Sequence, residues 1–399
     1  MNKKTIRDLG DAELRGRRAL VRVDFNVPLD ADRRVTDDTR IRAAVPTLEY
    51  LLQRGARVVL LSHLGRPKGA PEAKYSLEPV CARLAELLPG RHVEFCETTD
   101  TDDAVQATER LQAGQVLLLE NTRFLPGEEK NDERLARELA RLGDLYVNDA
   151  FGAAHRAHAS TEGVARVLHP AVAGLLMERE LAYLGRALAE PQRPFVAVLG
   201  GSKISGKIDV VEQLLPKVDH LLVGGAMACT FFRAMGLETG KSLVEPDRVD
   251  LARAVLERAG PKLVLPDDAV VAPELSASAP TRDVARDAIP ADQAMYDVGP
   301  TTRARYAEFV RGAKTVLWNG PMGVFETPPF DAGTLAVAHA LADATAAGAT
   351  TIVGGGDSAA AVAQAGLEDR VTHVSTGGGA SLEFLEGKVL PGVAALDDA

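Results

Sequence analysis

Four arginines and a histidine stand out in the first half of the chain. Arg40 lies in VTDDTRI, His63 and Arg66 in SHLGRP, Arg123 in ENTRF and Arg156 in AHRAH. A guanidinium binds phosphate or carboxylate through two parallel hydrogen bonds and stays charged at any working pH. Such a set suits a small, multiply charged anion. Asp24 and Asn26, in VRVDFNVP, could orient hydroxyl groups of that anion, or close an Asx turn ahead of Pro28. His155 and His158 are three residues apart, a metal-like spacing, but no carboxylate motif accompanies them and no metal is expected there.

The second half carries glycines where the first carries charge. GSKISGKI (201–208) approaches G-x-x-x-x-G-K-[ST], but Ile208 replaces the hydroxyl that would meet magnesium, so a different kind of phosphate loop is expected. Lys203 and Lys207 are four apart, and one helical turn would aim both ammonium groups at the same place. Two cations there would neutralise a migrating phosphoryl group. VGGGDSAAA (353–361) reads as a strand, a glycine turn and a helix start. Asp357 and Ser358 are good N-cap types. Alternatively the backbone N–H groups hold a nucleotide phosphate and Asp357 binds magnesium. STGGGASLEFL (375–385) repeats the design with Gly377, Gly378 and Gly379, and WNGPMGVFE (318–326) holds the single tryptophan and Glu326, a candidate acceptor for ribose hydroxyls.

These residues need a scaffold, and the apolar runs supply one. ALVRVDF, RVVLLSH, HVEFCE, QVLLLEN and DLYVNDA come first; FVAVLGG, HLLVGGA, KLVLPDD, AMYDVGP, TVLWNGP, TIVGGGD and THVSTGG follow. Alternation with amphipathic stretches indicates βα units and mostly parallel sheets. Twelve strands are too many for one ordinary open sheet, and 399 residues are too many for one core. Two α/β domains are therefore expected. LLMERELAYLGRALAEPQRP (175–194) reads as a connecting helix stopped by Pro191 and Pro194. In open α/β sheets ligands bind beyond the carboxyl ends of the strands. Those ends carry Asp24 and Asn26, His63 and Arg66, Asn121 and Arg123, then Asn148, Asp149, His155 and Arg156 in the first half, and glycines in the second. One half is expected to bind a small anionic substrate and the other a nucleotide.

The net charge of −10 opposes nucleic acid or an anionic membrane as the main partner. Cys81, Cys96 and Cys229 are odd in number and widely spaced, which points to buried reduced thiols. The charged N-terminus has no apolar core of a signal peptide and no run suits a membrane span, so a cytoplasmic protein is expected. A P-loop NTPase is opposed by Ile208 and the lack of a clear Walker-B carboxylate. A solute-binding protein is opposed by the glycine-rich half, and a nicotinamide dehydrogenase by the lack of G-x-G-x-x-G after the first strand.

Taken together, VRVDFNVP, SHLGRP, LLLENTRF, VNDAFGAAHRAHAS, LGGSKISGKI, VGGAMACTF, WNGPMGVFE, VGGGDSAAA and STGGGASLEFLEGK resemble the phosphoglycerate kinase family, in its motif order and over nearly the whole chain. The resemblance implies an α/β fold of two Rossmann-like domains, each a mostly parallel sheet flanked by helices, facing a cleft and joined by a hinge helix. The implied boundaries are 1–174 for the phosphoglycerate domain, 175–190 for the helix, 191–385 for the nucleotide domain, and 386–399 for a segment returning to the first domain. By motif position, Asp24, Phe25, Asn26, Arg40, His63, Leu64, Gly65, Arg66, Arg123 and Arg156 would meet 3-phosphoglycerate or 1,3-bisphosphoglycerate. Gly201, Ser202, Lys203, Lys207, Gly225, Asn319, Pro321, Gly323, Val324, Glu326, Gly355, Gly356, Asp357 and Ser358 would meet ADP or ATP with Mg2+, Asp357 being the metal ligand. A monomer is implied. Ser202, Gly206 and Thr122 depart from common family residues without touching a charge used above. The acceptor would be a carboxylate, already an anion, so no general base is required. Arg40 and Lys207 would bear the transition-state charge, with Lys203 and the N–H groups of Gly377, Gly378 and Gly379 assisting, after domain closure.

Overall fold

Runs of Val, Leu and Ala bounded by polar turns form strands that are buried along most of their length, as strands covered by helices on both faces must be. The computed structural model describes residues 2–399. The chain divides into two units: residues up to Ala182 together with Val389–Ala399, and Tyr183–Lys388. The first unit contains β1 (Arg18–Arg22), β2 (Arg57–Leu61), β3 (Val93–Cys96), β4 (Val116–Leu119), β5 (Leu145–Asn148) and β6 (Ala171–Ala173). Their order is β3-β4-β2-β1-β5-β6, and every neighbouring pair is parallel. Leu20 at the centre of β1 faces Val59 of β2 and Tyr146 of β5 in register.

The second unit contains β7 (Phe195–Leu199), β8 (His220–Val223), β9 (Leu263–Val264), β10 (Asp268–Ala272), β11 (Arg282–Ala285), β12 (Ala294–Val298), β13 (Thr315–Asn319), β14 (Thr350–Gly354) and β15 (His373–Val374). Six of them form a parallel sheet in the order β15-β14-β13-β7-β8-β9. The other three form an antiparallel sheet, β11-β10-β12.

Among the described residues there are fifteen strands, not the twelve expected from apolar runs. KLVLPDD splits: Leu263–Val264 ends β9, and Asp268 opens β10 in another sheet. AMYDVGP joins that antiparallel sheet and not a parallel one. β6 is three residues long, and β11 is largely exposed, so neither has an apolar run to announce it.

The connecting helix spans Leu175–Ala189, and the division between the units falls within it. Its first N–H groups are satisfied from the first unit. Leu175 N–H donates to Thr47 Oγ1 at 2.9 Å, and Leu176 and Met177 N–H donate to Asp149 Oδ1 at 2.9 and 3.2 Å. Asp149 therefore serves as an acceptor for a helix N-terminus, not as a member of the polar rim expected from its place at a strand end. Burial pushes its carboxyl up to about 6. Residues 389–399 hydrogen-bond within the first unit: Gly392 N–H to Ala154 O, Asp397 N–H to Ala171 O and Lys4 N–H to Asp397 O, each at 2.9 Å. All three cysteines are free. Cys81 and Cys229 are buried, with thiols pushed up to about 11 by burial, whereas Cys96 on the edge strand β3 is half-buried.

Candidate functional site

In the first unit, hydrogen bonds tie the loops after β1, β2 and β4 to the start of the helix Thr39–Gln53. Arg40, on that helix's first turn, donates through Nη1 to Asp24 Oδ1 at 3.1 Å and to Asn26 O at 3.3 Å. The same Asp24 oxygen accepts the Asn26 N–H at 3.2 Å, so the Asx turn and the arginine contact coexist. Asn26 Oδ1 accepts the Gly65 N–H at 2.8 Å, and Arg123 Nη1 donates to Gly65 O at 2.7 Å. Asn121 supports the arrangement from beneath, its Nδ2 donating to Leu64 O at 2.8 Å. Phe25 is buried, its N–H donating to Ser62 Oγ at 2.9 Å. Arg40, Asp24, Asn26, Gly65 and Arg123 are thus brought together by chain segments far apart in sequence. Arg66 and Arg156 are exposed outside this ring, and Arg156 Nε reaches His155 Nε2 at 3.1 Å.

His63 is buried next to the ring. Burial first, then the charges of Arg22, Arg123 and Arg40, hold its imidazole well below the usual range. Arg22, the last residue of β1, lies 1% exposed with Nη2 3.1 Å from His63 Nδ1. Burial and the same kind of basic surroundings bring His158 down to about 4. Among the described residues, no group of three or more His, Cys, Asp or Glu could hold a metal ion.

In the second unit, β7 leads outward to β8 and β9 on one side, and β13 leads to β14 and β15 on the other. The crevice beyond the ends of β7 and β13 is therefore a topological switch point, the preferred ligand position of such sheets. Its two loops are laced by backbone bonds, Gly200 N–H to Asn319 O at 3.0 Å and Gly201 N–H to Pro321 O at 3.1 Å. The N–H of Gly225 adds a third, to Met322 O at 2.9 Å. A Cβ on Gly200 would lie 2.0 Å from Pro321 O and 2.6 Å from Gly320 O. Backbone atoms cannot move aside cheaply, so Gly200→Ala is expected to cost about 3 kcal/mol, the upper end for overpacking. That corresponds to a fall in unfolding midpoint of roughly 6–12 °C for a unit of this size. An unchanged melting curve by circular dichroism would mean the two loops part without penalty.

Lys203 and Lys207 are not on one helical turn. The helix begins at Ile208, and 201–207 is a succession of turns pinned by Ser205, whose N–H donates to Glu245 Oε2 at 3.1 Å. Lys203 is exposed, whereas Lys207, the residue before the helix, is half-buried and donates through Nζ to Asn319 Oδ1. Burial lowers the Lys207 ammonium to about 8 against the opposing pull of Asp357 and Glu386. Asn319 Nδ2 is buried and has no hydrogen-bond partner among the described residues.

The helix Gly356–Gln364 is preceded by Gly355 at φ +88°, so Gly355 is the cap and not Asp357 or Ser358. Ser358 turns inward, its Oγ accepting the Gly320 N–H at 2.6 Å, while Asp357 stays exposed on the first turn. Of the three later glycines, Gly377 has its N–H engaged with Ser375 Oγ at 3.1 Å, and Gly378 and Gly379 begin the helix Gly379–Leu385. The segment after β13 is held by Val324 N–H to Tyr296 O at 2.9 Å and Met322 N–H to Thr334 Oγ1 at 3.0 Å, leaving Glu326 exposed.

A family model described as phosphoglycerate kinase matches residues 9–388. The chain belongs to the phosphoglycerate kinase family. The phosphoglycerate kinases of Chloroflexus aurantiacus and Chlorobium limicola are 62% and 58% identical to it, over 100% of both chains in each comparison. The solved phosphoglycerate kinase of Coxiella burnetii matches with a TM-score of 0.88 at 43% identity, covering 98% of each chain. The chain is a phosphotransferase with a carboxyl group as acceptor. It carries out the phosphoglycerate kinase reaction, moving a phosphoryl group between 1,3-bisphosphoglycerate and ADP to give 3-phosphoglycerate and ATP. Among the described residues, no helix is long and apolar enough to cross a membrane.

Within this member of the phosphoglycerate kinase family, three buried polar residues are not among the site residues expected from sequence: Arg22, Glu128 and Ser160. Arg22 and Ser160 stand inside VRVDFNVP and VNDAFGAAHRAHAS, and Arg22 is a cation flanked by valines, which is a signal in itself. Glu128 lies outside every such motif, and its partner Ser160 is 32 residues away.

Proposed function

We propose that the ring of Asp24, Asn26, Arg40 and Arg123, with Phe25, His63, Leu64, Gly65, Arg66 and Arg156 around it, binds the phosphoglycerate. The nucleotide then binds in the second unit at the β7/β13 switch point. What carries this assignment is the convergence of Arg40 and Arg123 on one hydrogen-bonded ring, which a multiply charged acid requires and a structural ion pair does not. Arg66 and Arg156, exposed and outside the ring, are the cations that a bound anion would draw in.

In the second unit the nucleotide phosphates meet backbone N–H groups at Gly355 and Gly356, while Gly201 and Gly225, whose own N–H groups are bonded to Pro321 O and Met322 O, shape the loop with Ser202, Lys203 and Lys207 beside them. Asn319, Pro321, Gly323, Val324 and Glu326 form the other wall, Glu326 reaching the ribose. Ser358 acts through Gly320. The group there that suits Mg2+ is a carboxylate. Asp357 is an exposed carboxylate at a helix start, and magnesium takes one or two protein carboxylates while keeping water and phosphate oxygens. Bound there, the ion would neutralise charge on the nucleotide phosphates.

Phosphoryl transfer is largely positioning and charge neutralisation. Arg40 and Lys207 supply most of that charge, Lys203 assists, and Gly378 and Gly379 offer N–H groups, with Gly377 holding the loop through its bond to Ser375 Oγ. The transfer is direct and in line. Because acid and nucleotide are assigned to different units, it requires a closure about the connecting helix that also excludes water. Small-angle scattering of the protein as a cytoplasmic monomer is expected to show a smaller radius of gyration with both ligands than with either alone. The primary test is a coupled assay with 3-phosphoglycerate and Mg-ATP. ADP formation that depends on both the acid and magnesium supports the assignment, and ATP loss indifferent to the acid overturns it.

A further inference from the structure

We propose that Arg22, Ser160 and Glu128 are positioning residues that hold His63 as a neutral imidazole with its proton on Nε2. A guanidinium has five N–H donors and no acceptor. Arg22 Nη2 lies 3.1 Å from His63 Nδ1, so Nδ1 must be the acceptor and the ring proton must lie on Nε2. An imidazolium would set an N–H against an N–H and lose the contact.

Arg22 is itself fixed. Its Nε donates to Ser160 Oγ at 2.8 Å, and its Nη1 donates to the Val23 carbonyl. The Ser160 hydroxyl donates to Glu128 Oε1, and Ser160 N–H donates to Glu128 Oε2 at 2.9 Å. Glu128 is 0% exposed and Ser160 0% exposed. The buried guanidinium is thus compensated by a buried carboxylate through one hydroxyl, with Tyr146 Oη clamping the Ser160 carbonyl at 2.8 Å. A buried charge with its partner removed is costly, which keeps the chain of contacts in one arrangement.

Near neutral pH the charged groups that face His63 are Arg22, Arg123 and Arg40, with no carboxylate among them, and all three oppose a second proton on the ring; His158, brought down to about 4, is neutral there. Resting on the assignment of this site to the phosphoglycerate, His63 then meets the ligand as a neutral N–H donor. Its contribution persists across about pH 5–8, where an ordinary histidine would change charge.

The test uses the full-length protein labelled with 15N in histidine, with the His63 signals assigned by His63→Gln. The expected result is a pyridine-type shift at Nδ1, a pyrrole-type shift at Nε2 and no titration across about pH 5–8. A protonated Nδ1, or a ring that titrates in that window, overturns the proposal without reference to any ligand. Ser160→Ala is expected to mix the two tautomers. Losing one aligned hydrogen bond, about 1 kcal/mol, raises the KM for 3-phosphoglycerate roughly fivefold while leaving the KM for ATP unchanged. If Ser160→Ala raises both KM values equally, the relay is merely structural. If the wild-type tautomer is as expected but His63→Gln leaves the KM for 3-phosphoglycerate untouched, the acid-site assignment fails and the positioning role fails with it.

Discussion

Arg40→Ala is expected to lower kcat by about 10³–10⁵, the loss found when an arginine that neutralises a transferring phosphoryl group is removed. The geometry favours a catalytic over a structural origin for such a loss. The side chain is 35% exposed, and its contacts to Asp24 and Asn26 use only Nη1, so Nε and Nη2 remain for a ligand. An ion pair this exposed contributes about 0.2–1 kcal/mol to stability, too little to unfold the protein when it is lost. Melting curves of the variant are expected to overlie those of the parent within a few degrees. Arg40→Lys should recover part of the rate, because it returns the charge without the bidentate geometry. A kcat for Arg40→Ala within tenfold of the parent, about 1.4 kcal/mol, would sink the assigned role.

Sequence and structure agree where one chain segment carries the whole signal. Runs such as QVLLLEN and FVAVLGG become strands because their apolar residues are buried on both faces, and that requirement is visible in composition alone. β11 is not visible because its residues are largely exposed and pair with β10 through the backbone. The candidate site divides in the same way. Arg40, Asp24, Asn26 and Arg123 can be named from residue type, but their joining depends on Gly65, whose N–H and carbonyl bridge Asn26 to Arg123. The spacing of Lys203 and Lys207 suggests a helical face only if a helix is present, and Gly201, Ser205 and Gly206 hold the segment in turns instead. Asp149 and Ser358 have residue types suited to a ligand, yet Asp149 Oδ1 and Ser358 Oγ accept backbone N–H groups of the protein. A residue's type thus indicates what it could bind, while the competition for its hydrogen bonds is decided by tertiary neighbours that spacing does not reveal.

Lys207→Met is expected to lower kcat by about 10²–10³, the cost of removing one preorganised donor from a developing negative charge. Lys207 differs from Lys203 in being desolvated, and the two should not be equivalent. Held against Asn319 Oδ1 with its ammonium lowered to about 8, Lys207 is charged below that pH and loses its proton as pH rises through it. An anionic phosphate needs the charged form. The kcat/KM for ATP, which reports the free enzyme, should therefore fall with pH above about 8. Bound phosphates favour the ammonium, so the corresponding limb in kcat should lie at higher pH. Lys207→Arg, whose guanidinium does not titrate in this range, should abolish the alkaline limb even if its rate is reduced. Lys203→Met, at an exposed loop position, should preserve the limb. A wild-type profile that stays flat through the alkaline range, or a limb that persists in Lys207→Arg, would assign the titration to another group. A Lys207→Met kcat within tenfold of the parent would remove Lys207 from the transfer step, leaving backbone N–H groups and Arg40 to carry the charge.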